Sequence, residues 1–115
     1  MEHRCSVRKP IEFQLLLYRQ GLPVQSAVSR DLGLGGMFIN TGACSWRRNE
    51  RLEIEILGSG GKPEMKLPAV VVHHSMRGTG VEFDAVSDKQ RRTLRAWLYG
   101  GQPETVVESP ARAVA

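Results

Sequence analysis

Two arginines near the start of the sequence, Arg4 and Arg8, form an R-x-x-x-R pair ahead of the first apolar segment. A guanidinium group can donate two parallel hydrogen bonds to a phosphate or to the O6 and N7 edge of a guanine, and it can also stack on a flat ring. The pair alone is a weak signal, because the sequence contains two further pairs with the same spacing. Its context in the chain therefore decides whether it indicates a binding site.

A second pattern, D-x-G-x-x-G, is formed by Asp31, Gly33 and Gly36 between two segments that read as strands. Asp31 can accept hydrogen bonds from the N1 and N2 donors of a guanine, or it can pair with an arginine. The glycines let the backbone approach a flat molecule without a Cβ clash. We expect a turn with positive φ angles from Asp31 to Gly36.

The segments that position these residues alternate between apolar and polar side chains with the period of a β-strand. The alternation is strictest over the segment RLEIEIL. The predicted strands are Ile11–Tyr18, Val24–Arg30, Met37–Asn40, Arg51–Leu57, Lys66–His74 and Val81–Phe83. Six short, mostly antiparallel strands predict a mainly β fold, either a small barrel or a closed sandwich.

One helix is predicted after the last strand. Ser87 and Gln90 have the spacing of an N-terminal capping box, and the glycines at positions 100 and 101 can end the helix. Its apolar face consists of Leu94, Trp97 and Leu98. Residues 102–115 contain two prolines without periodicity and are expected to form a disordered tail.

The composition fits a single soluble domain. The 115 residues include no apolar run long enough for a membrane span and no secretory signal, so we expect a cytoplasmic protein whose two cysteines, Cys5 and Cys44, are reduced. The net charge of +4 favours phosphate-bearing partners, and arginine provides twelve of the sixteen basic side chains. Trp46 and Trp97 are expected to pack in the core rather than to stack on a ligand.

The order of these elements resembles that of the PilZ domain, in which R-x-x-x-R precedes the first strand and a D-x-[SG]-x-x-G turn leads into an apolar strand. The segments GGMFI at Gly35–Ile39 and GTGVEF at Gly78–Phe83, and the terminal helix, are similar to later parts of that family. The resemblance runs from about Glu2 to Tyr99 and assigns residues 1–101 to one domain. It implies a six-stranded antiparallel β-barrel with one C-terminal α-helix.

The resemblance also implies a receptor for the bacterial second messenger cyclic di-GMP. The implied ligand-binding residues are Arg4, Arg8, Asp31, Gly33 and Gly36, with additional contacts considered for His3, Arg30, Gly35 and Gly80. Residues 1–10 would be a flexible arginine loop, and its ordering by the ligand would act on a downstream protein partner. Many family members have Ser where this chain has Gly33, so a hydroxyl worth about 1 kcal/mol of hydrogen bonding is missing.

Two other functions remain open at this stage. One is a PilZ-like interaction module that binds proteins without the messenger. The other is a small basic β-barrel that binds single-stranded nucleic acid, which would need aromatic residues interleaved with basic ones on an exposed sheet face; aromatic residues make up only 6% of the chain. We expect neither an enzyme nor a cofactor, because no nucleophile, base and orienting group can be assembled. We also expect no metal site, because His73 and His74 are neighbours on a strand.

Overall fold

The computed structural model describes residues 7–42 and 46–99. His3, Arg4, both cysteines, the glycines at 100 and 101 and the predicted tail 102–115 lie outside the described residues. The strands are β1 (Arg8–Lys9), β2 (Gln14–Arg19), β3 (Leu22–Gly33), β4 (Gly36–Asn40), β5 (Arg51–Leu57), β6 (Pro63–Ser75) and β7 (Gly78–Phe83). One helix, α1 (Asp88–Tyr99), follows them, and a short 3₁₀ turn (Ser59–Gly61) separates β5 from β6.

Six of these strands close into an antiparallel barrel. Their order is β3-β2-β5-β6-β7-β4, and β4 pairs back with β3 to complete the ring. β1 extends β3 by two residue pairs, Arg8 with Gly33 and Lys9 with Leu32. The predicted mainly β fold with a six-stranded barrel and one C-terminal helix is confirmed, and β1 is an addition inside the segment that was expected to be a loop.

The alternating side chains place one apolar side of every barrel strand in a single core. Leu15 and Leu17 of β2 face inward together with Ile54 and Ile56 of β5, and all four are almost fully buried. Trp46 also belongs to this core, as predicted, with 2% of its surface exposed. Its indole Nε1 donates a hydrogen bond of 2.8 Å to Gln25 Oε1, which satisfies its polar atom.

Helix α1 packs on the barrel through the face that the sequence predicts. Leu94 and Leu98 are fully buried in the barrel core. Trp97 lies against Phe13, with ring centroids 4.9 Å apart. The capping box is present in both directions, since Ser87 N donates to Gln90 Oε1 and Gln90 N donates to Ser87 Oγ.

Candidate functional site

The pairing of β1 with β3 brings Arg8, the second arginine of the predicted pair, against the predicted acid Asp31. Arg8 Nη2 lies 2.6 Å from Asp31 Oδ1, and Arg8 Nε lies 3.2 Å from the same oxygen. The side chains of Arg8 and Asp31 are 49% and 30% exposed. Among the described residues nothing donates to Asp31 Oδ2, so the pair keeps free donors and one free acceptor towards solvent.

A β-bulge in β3 determines which way this part of the strand faces. Ala27 and Ser29 point into the barrel, and the next inward residue is Leu32 rather than residue 31. The register shift lies between Ser29 and Asp31, which leaves Arg30 as the extra residue. The side chains of Arg30 and Asp31 therefore both stay outside the core.

Ser29 ties the segment between β1 and β2 to the bulged strand. Its side chain is fully buried, and its Oγ accepts a hydrogen bond of 2.8 Å from Phe13 N and donates one of 2.6 Å to Ile11 O. Ser29 N also donates to Phe13 O at 3.0 Å. These bonds fix the chain that leads out of β1 and so help to position Arg8. Our sequence reasoning missed Ser29, although a hydroxyl at an inward strand position needs partners and is a signal for such an anchor.

The predicted positive φ angles between Asp31 and Gly36 are wrong. Asp31 and Gly33 belong to β3, Gly36 belongs to β4, and the bend between them consists of Leu34 and Gly35 only. The described glycines with positive φ are Gly21, Gly42, Gly60, Gly61 and Gly78.

Close packing explains the two glycines of the motif instead. A Cβ atom on Gly36 would collide with the backbone carbonyl oxygen of Val81 in β7. A Cβ atom on Gly33 would lie 3.3 Å from Arg8 Cγ and 3.3 Å from Val7 O. Gly35 has open space around its Cβ position, and its carbonyl accepts a hydrogen bond of 2.8 Å from Phe83 N.

Arg30 and Gly80, two of the additional candidates, lie around a residue that the sequence reasoning overlooked, Phe38. Phe38 is the cross-strand partner of Asp31 on one side and of Gly80 on the other. The Arg30 guanidinium carbon lies 5.2 Å from the centroid of the Phe38 ring. Phe38 stands between the inward-facing residues of β4, so strand alternation alone marks it as an outward-facing aromatic.

We call the outer side of β3, β4 and β7 the β4 face; its residues in the argument are Arg30, Asp31, Gly36, Phe38 and Gly80, with Arg8 beside them on β1. The structure brings the described predicted residues together at this face. The other half of the barrel, the outer side of β2, β5 and β6 together with the adjoining end of the barrel, is the β5 face. Tyr18, Glu53, Glu55 and Lys66 lie on its outer side, and Arg19 and Glu50 lie at the end, where β2 stops and β5 is about to begin.

The β5 face carries a network of paired side chains. Tyr18 Oη donates to Glu55 Oε1 at 2.7 Å, and this hydrogen bond is the main reason why the pKa of Tyr18 is raised above its ordinary value. Lys66 Nζ lies 3.9 Å from the Tyr18 ring centroid and 3.8 Å from Glu53 Oε1. Lys66 therefore already has both an aromatic and an acidic partner.

A second cluster on the β5 face involves Arg19, whose Nε donates to Glu50 Oε2 at 2.6 Å. The Arg19 guanidinium carbon also lies 4.3 Å from the Trp46 ring centroid. The bond from Arg19 is the largest influence that lowers the pKa of Glu50. A cavity of about 650 Å³ opens beside this cluster, but its arginines are already paired, Arg19 with Glu50 and Arg51 with Asp84. On the β4 face, by contrast, Arg30 has no acidic partner among the described residues.

Comparison with known proteins agrees with this fold. The family model of the PilZ domain matches residues 2–100. The chain therefore belongs to the PilZ domain family, whose members are generally receptor or adaptor domains for cyclic di-GMP rather than enzymes.

Solved structures show the same architecture. The PilZ domain of CeSA from a cellulose-synthesizing bacterium matches with a TM-score of 0.65 and 16% identity, over 82% of this chain and 96% of that one. The inhibitor of motility MotI/DgrA of Bacillus subtilis matches with a TM-score of 0.70 and 16% identity, over 90% of this chain and 53% of that one. At this identity the two structures establish the fold. No curated protein matches the sequence.

Two further observations concern the described residues alone. No helix within 7–42 and 46–99 has the length and apolar character needed to cross a membrane. His73 and His74 are both exposed, and neither takes part in a metal-ligating group within those same ranges.

Proposed function

We propose that this chain is a receptor or adaptor domain that binds cyclic di-GMP at the β4 face. The observation that carries the proposal is the contact between Arg8 and Asp31, because two motifs separated by more than twenty residues meet at one exposed point. Arg4 lies outside the described residues, and in this proposal it adds a second guanidinium from the preceding segment. Family membership supports the same ligand.

The free atoms of the ion pair suit the chemistry of the ligand. Cyclic di-GMP presents two guanines and two phosphodiesters, so it needs donors for its phosphates and guanine O6 and N7 atoms and acceptors for its N1 and N2 groups. Arg8 keeps unused guanidinium donors, and Asp31 keeps Oδ2 as an acceptor. An ion pair as exposed as this one contributes little to stability, so the ligand can share or replace it at low cost.

The short β1 ladder supports a coupling between ligand binding and a downstream protein partner. β1 is joined to β3 by only two residue pairs, and it leads directly into the segment that carries Arg4. Contacts from the ligand to Arg4 and Arg8 would hold that segment against the barrel, and a partner protein would recognise the resulting surface. The proposal implies a protein that works in the cytoplasm, where it meets the messenger.

The test is a calorimetric titration of the protein with cyclic di-GMP. We expect saturable binding, and we expect Arg8→Ala and Arg4→Ala each to weaken it by about 2 kcal/mol, or roughly 30-fold, because each removes charge-assisted hydrogen bonds. Arg51→Ala is the matched control. Arg51 forms an ion pair of the same kind with Asp84, at 2.9 Å, but it lies on β5, the strand opposite β4 in the barrel order.

Equal affinities for Arg8→Ala and Arg51→Ala would remove the site assignment. If the native protein gave no heat with cyclic di-GMP but bound single-stranded DNA with a steep salt dependence, nucleic-acid binding would replace the proposal. Absence of both activities would favour a module that contacts only proteins.

A further inference from the structure

The Phe38 ring has an unusual position for an aromatic side chain on the outside of a barrel. Phe38 points away from the core, yet it is only partly exposed. A Cβ atom on Gly78 would lie 3.0 Å from Phe38 Cε2, and one on Gly80 would lie 3.6 Å from Phe38 Cδ1. Cε2 and Cδ1 are opposite corners of the ring, so the ring lies lengthwise along β7 over these two glycines. One side of the ring is thus against the sheet, and the other side is available to solvent.

Arg30 is the cation next to the ring. Its guanidinium carbon lies 5.2 Å from the ring centroid, within the range of a cation–π contact. The bulge pushes Arg30 out of the strand ladder, and its side chain is exposed. Within the described residues Arg30 makes no ion pair, so no acid competes with the ring or with an incoming ligand for this cation.

The distance from Phe38 to Asp31 makes the ring relevant to the proposed ligand. The two residues are cross-strand partners, so their Cα atoms are about 5 Å apart and their side chains leave the barrel on the same side. A guanine whose N1 and N2 edge is bound by Asp31 would therefore extend over its neighbour. Aromatic rings hold nucleobases through their π faces without reading the identity of the base.

We infer that Phe38 is a stacking platform for one guanine of the ligand, and that Arg30 covers the same base from its other side or from its edge. This inference rests on the proposed function. Asp31 and Arg8 select the guanine through its edges, whereas Phe38 supplies affinity through contact with its face. Because Gly78 and Gly80 have no side chains, the Phe38 ring can lie flat on β7.

The test compares Phe38→Leu with Tyr18→Leu in a titration with cyclic di-GMP. In Phe38→Leu the shorter side chain would still cover the glycines of β7 with apolar atoms but would have no ring. Tyr18 is the matched control, since it is an outward-facing aromatic residue next to a cation, Lys66, on the β5 face. We expect about tenfold weaker binding for Phe38→Leu, in line with the loss of one base-stacking contact, and unchanged binding for Tyr18→Leu.

A second variant, Phe38→Trp, separates stacking from a merely structural role. We expect it to bind within about threefold of the native protein, and we expect the ligand to quench its added tryptophan fluorescence, because a guanine would lie on the indole. Thermal unfolding of all three variants checks that the barrel is intact.

Native affinity in Phe38→Leu, or equal losses in Phe38→Leu and Phe38→Trp without quenching, would overturn the platform while the proposed function stands. If the native protein is folded but does not bind cyclic di-GMP, both the platform and the proposed function are overturned.

Discussion

The two halves of the barrel surface use charged and aromatic side chains in different ways. On the β5 face, Lys66 contacts both Tyr18 and Glu53, and Arg19 is bonded to Glu50. On the β4 face, Arg8 uses one oxygen of Asp31, and Arg30 has an aromatic ring as its neighbour but no acid among the described residues. The polar groups of the β5 face are thus largely paired with one another, whereas the β4 face leaves the Arg30 guanidinium and Asp31 Oδ2 without a polar partner among the described residues.

The difference does not arise from the strand pairing, which is antiparallel throughout the ring. It arises from the glycines of β4 and β7, which remove side chains that could cover the surface, and from the bulge, which turns two charged residues outward together. The β5 face has no glycine within β2, β5 or β6. Its long side chains can therefore reach one another.

The largest expected effect concerns Gly36. The experiment tests whether the close pairing of β4 with β7 requires a residue without a side chain at this position of the β4 face. We expect Gly36→Ala to lower the free energy of unfolding by about 3 kcal/mol, because the new Cβ would meet the backbone of Val81 and β4 could not pair closely with β7. Gly35→Ala is the control, with open space at its Cβ, and should change stability by less than about 0.5 kcal/mol. Urea unfolding measures both. Similar stabilities would show that Gly36 is not required by the barrel.

Substitutions of Gly33 test the ion pair between Arg8 and Asp31 on the β4 face. A Cβ at this position would lie 3.3 Å from both Arg8 Cγ and Val7 O, so the Arg8 side chain would have to shift by a few tenths of an ångström. We expect Gly33→Ala to weaken cyclic di-GMP binding by about 1 kcal/mol, and Gly33→Ser to regain about 1 kcal/mol through its hydroxyl. Calorimetric titration of the two variants isolates that hydroxyl, because they differ by one oxygen atom. Identical affinities would mean that the serine common in the family adds no contact here.

The smallest effect is expected on the β5 face, where the pKa of Glu50 is lowered by its hydrogen bond from Arg19. A carboxyl group with a lowered folded pKa stabilises the protein fully above its ordinary value of 4.5, and this contribution is lost as the pH falls through the folded pKa. We expect Glu50→Gln to cost less than about 1 kcal/mol at pH 7 and to show a smaller deficit at pH 3, as measured by urea unfolding.

The control for this experiment is Glu82→Gln on the β4 face, where Glu82 is exposed and makes no ion pair within the described residues. It should leave the stability unchanged at pH 7. An equal deficit for Glu50→Gln at both pH values would contradict the assigned role of the carboxylate charge.

Local patterns in the sequence predict most of the fold. Strict alternation fixes β5 at Arg51–Leu57 without error, and the capping box places the start of α1 correctly. The ends of β3 and β6 extend beyond the predicted strands, because ladder pairing continues through residues such as Pro63 that have weak strand preference.

The candidate site is less predictable because the residues that form it and pack against it lie far apart in the sequence. Gly36 is required by a carbonyl of β7, and no local rule connects these positions, so we wrongly attributed the glycine to a turn. Phe38 was overlooked because its possible role in binding depends on its cross-strand neighbours on β3 and β7, and local sequence patterns do not identify these neighbours. Family resemblance supplied Arg8 and Asp31, and the structure shows that they are in contact.

The bulge at Arg30 shifts the in-and-out alternation of β3 by one residue. If the strand kept all of its residues but paired regularly after Ser29, the carboxylate of Asp31 would turn towards the apolar interior and Leu32 would emerge on the surface. Deletion of Arg30 would instead restore strict alternation and leave Asp31 outside and Leu32 inside. An alignment of this chain with a strand that lacks the bulge therefore needs a gap at Arg30, since without it the inside and the outside of the barrel are exchanged from Asp31 onward.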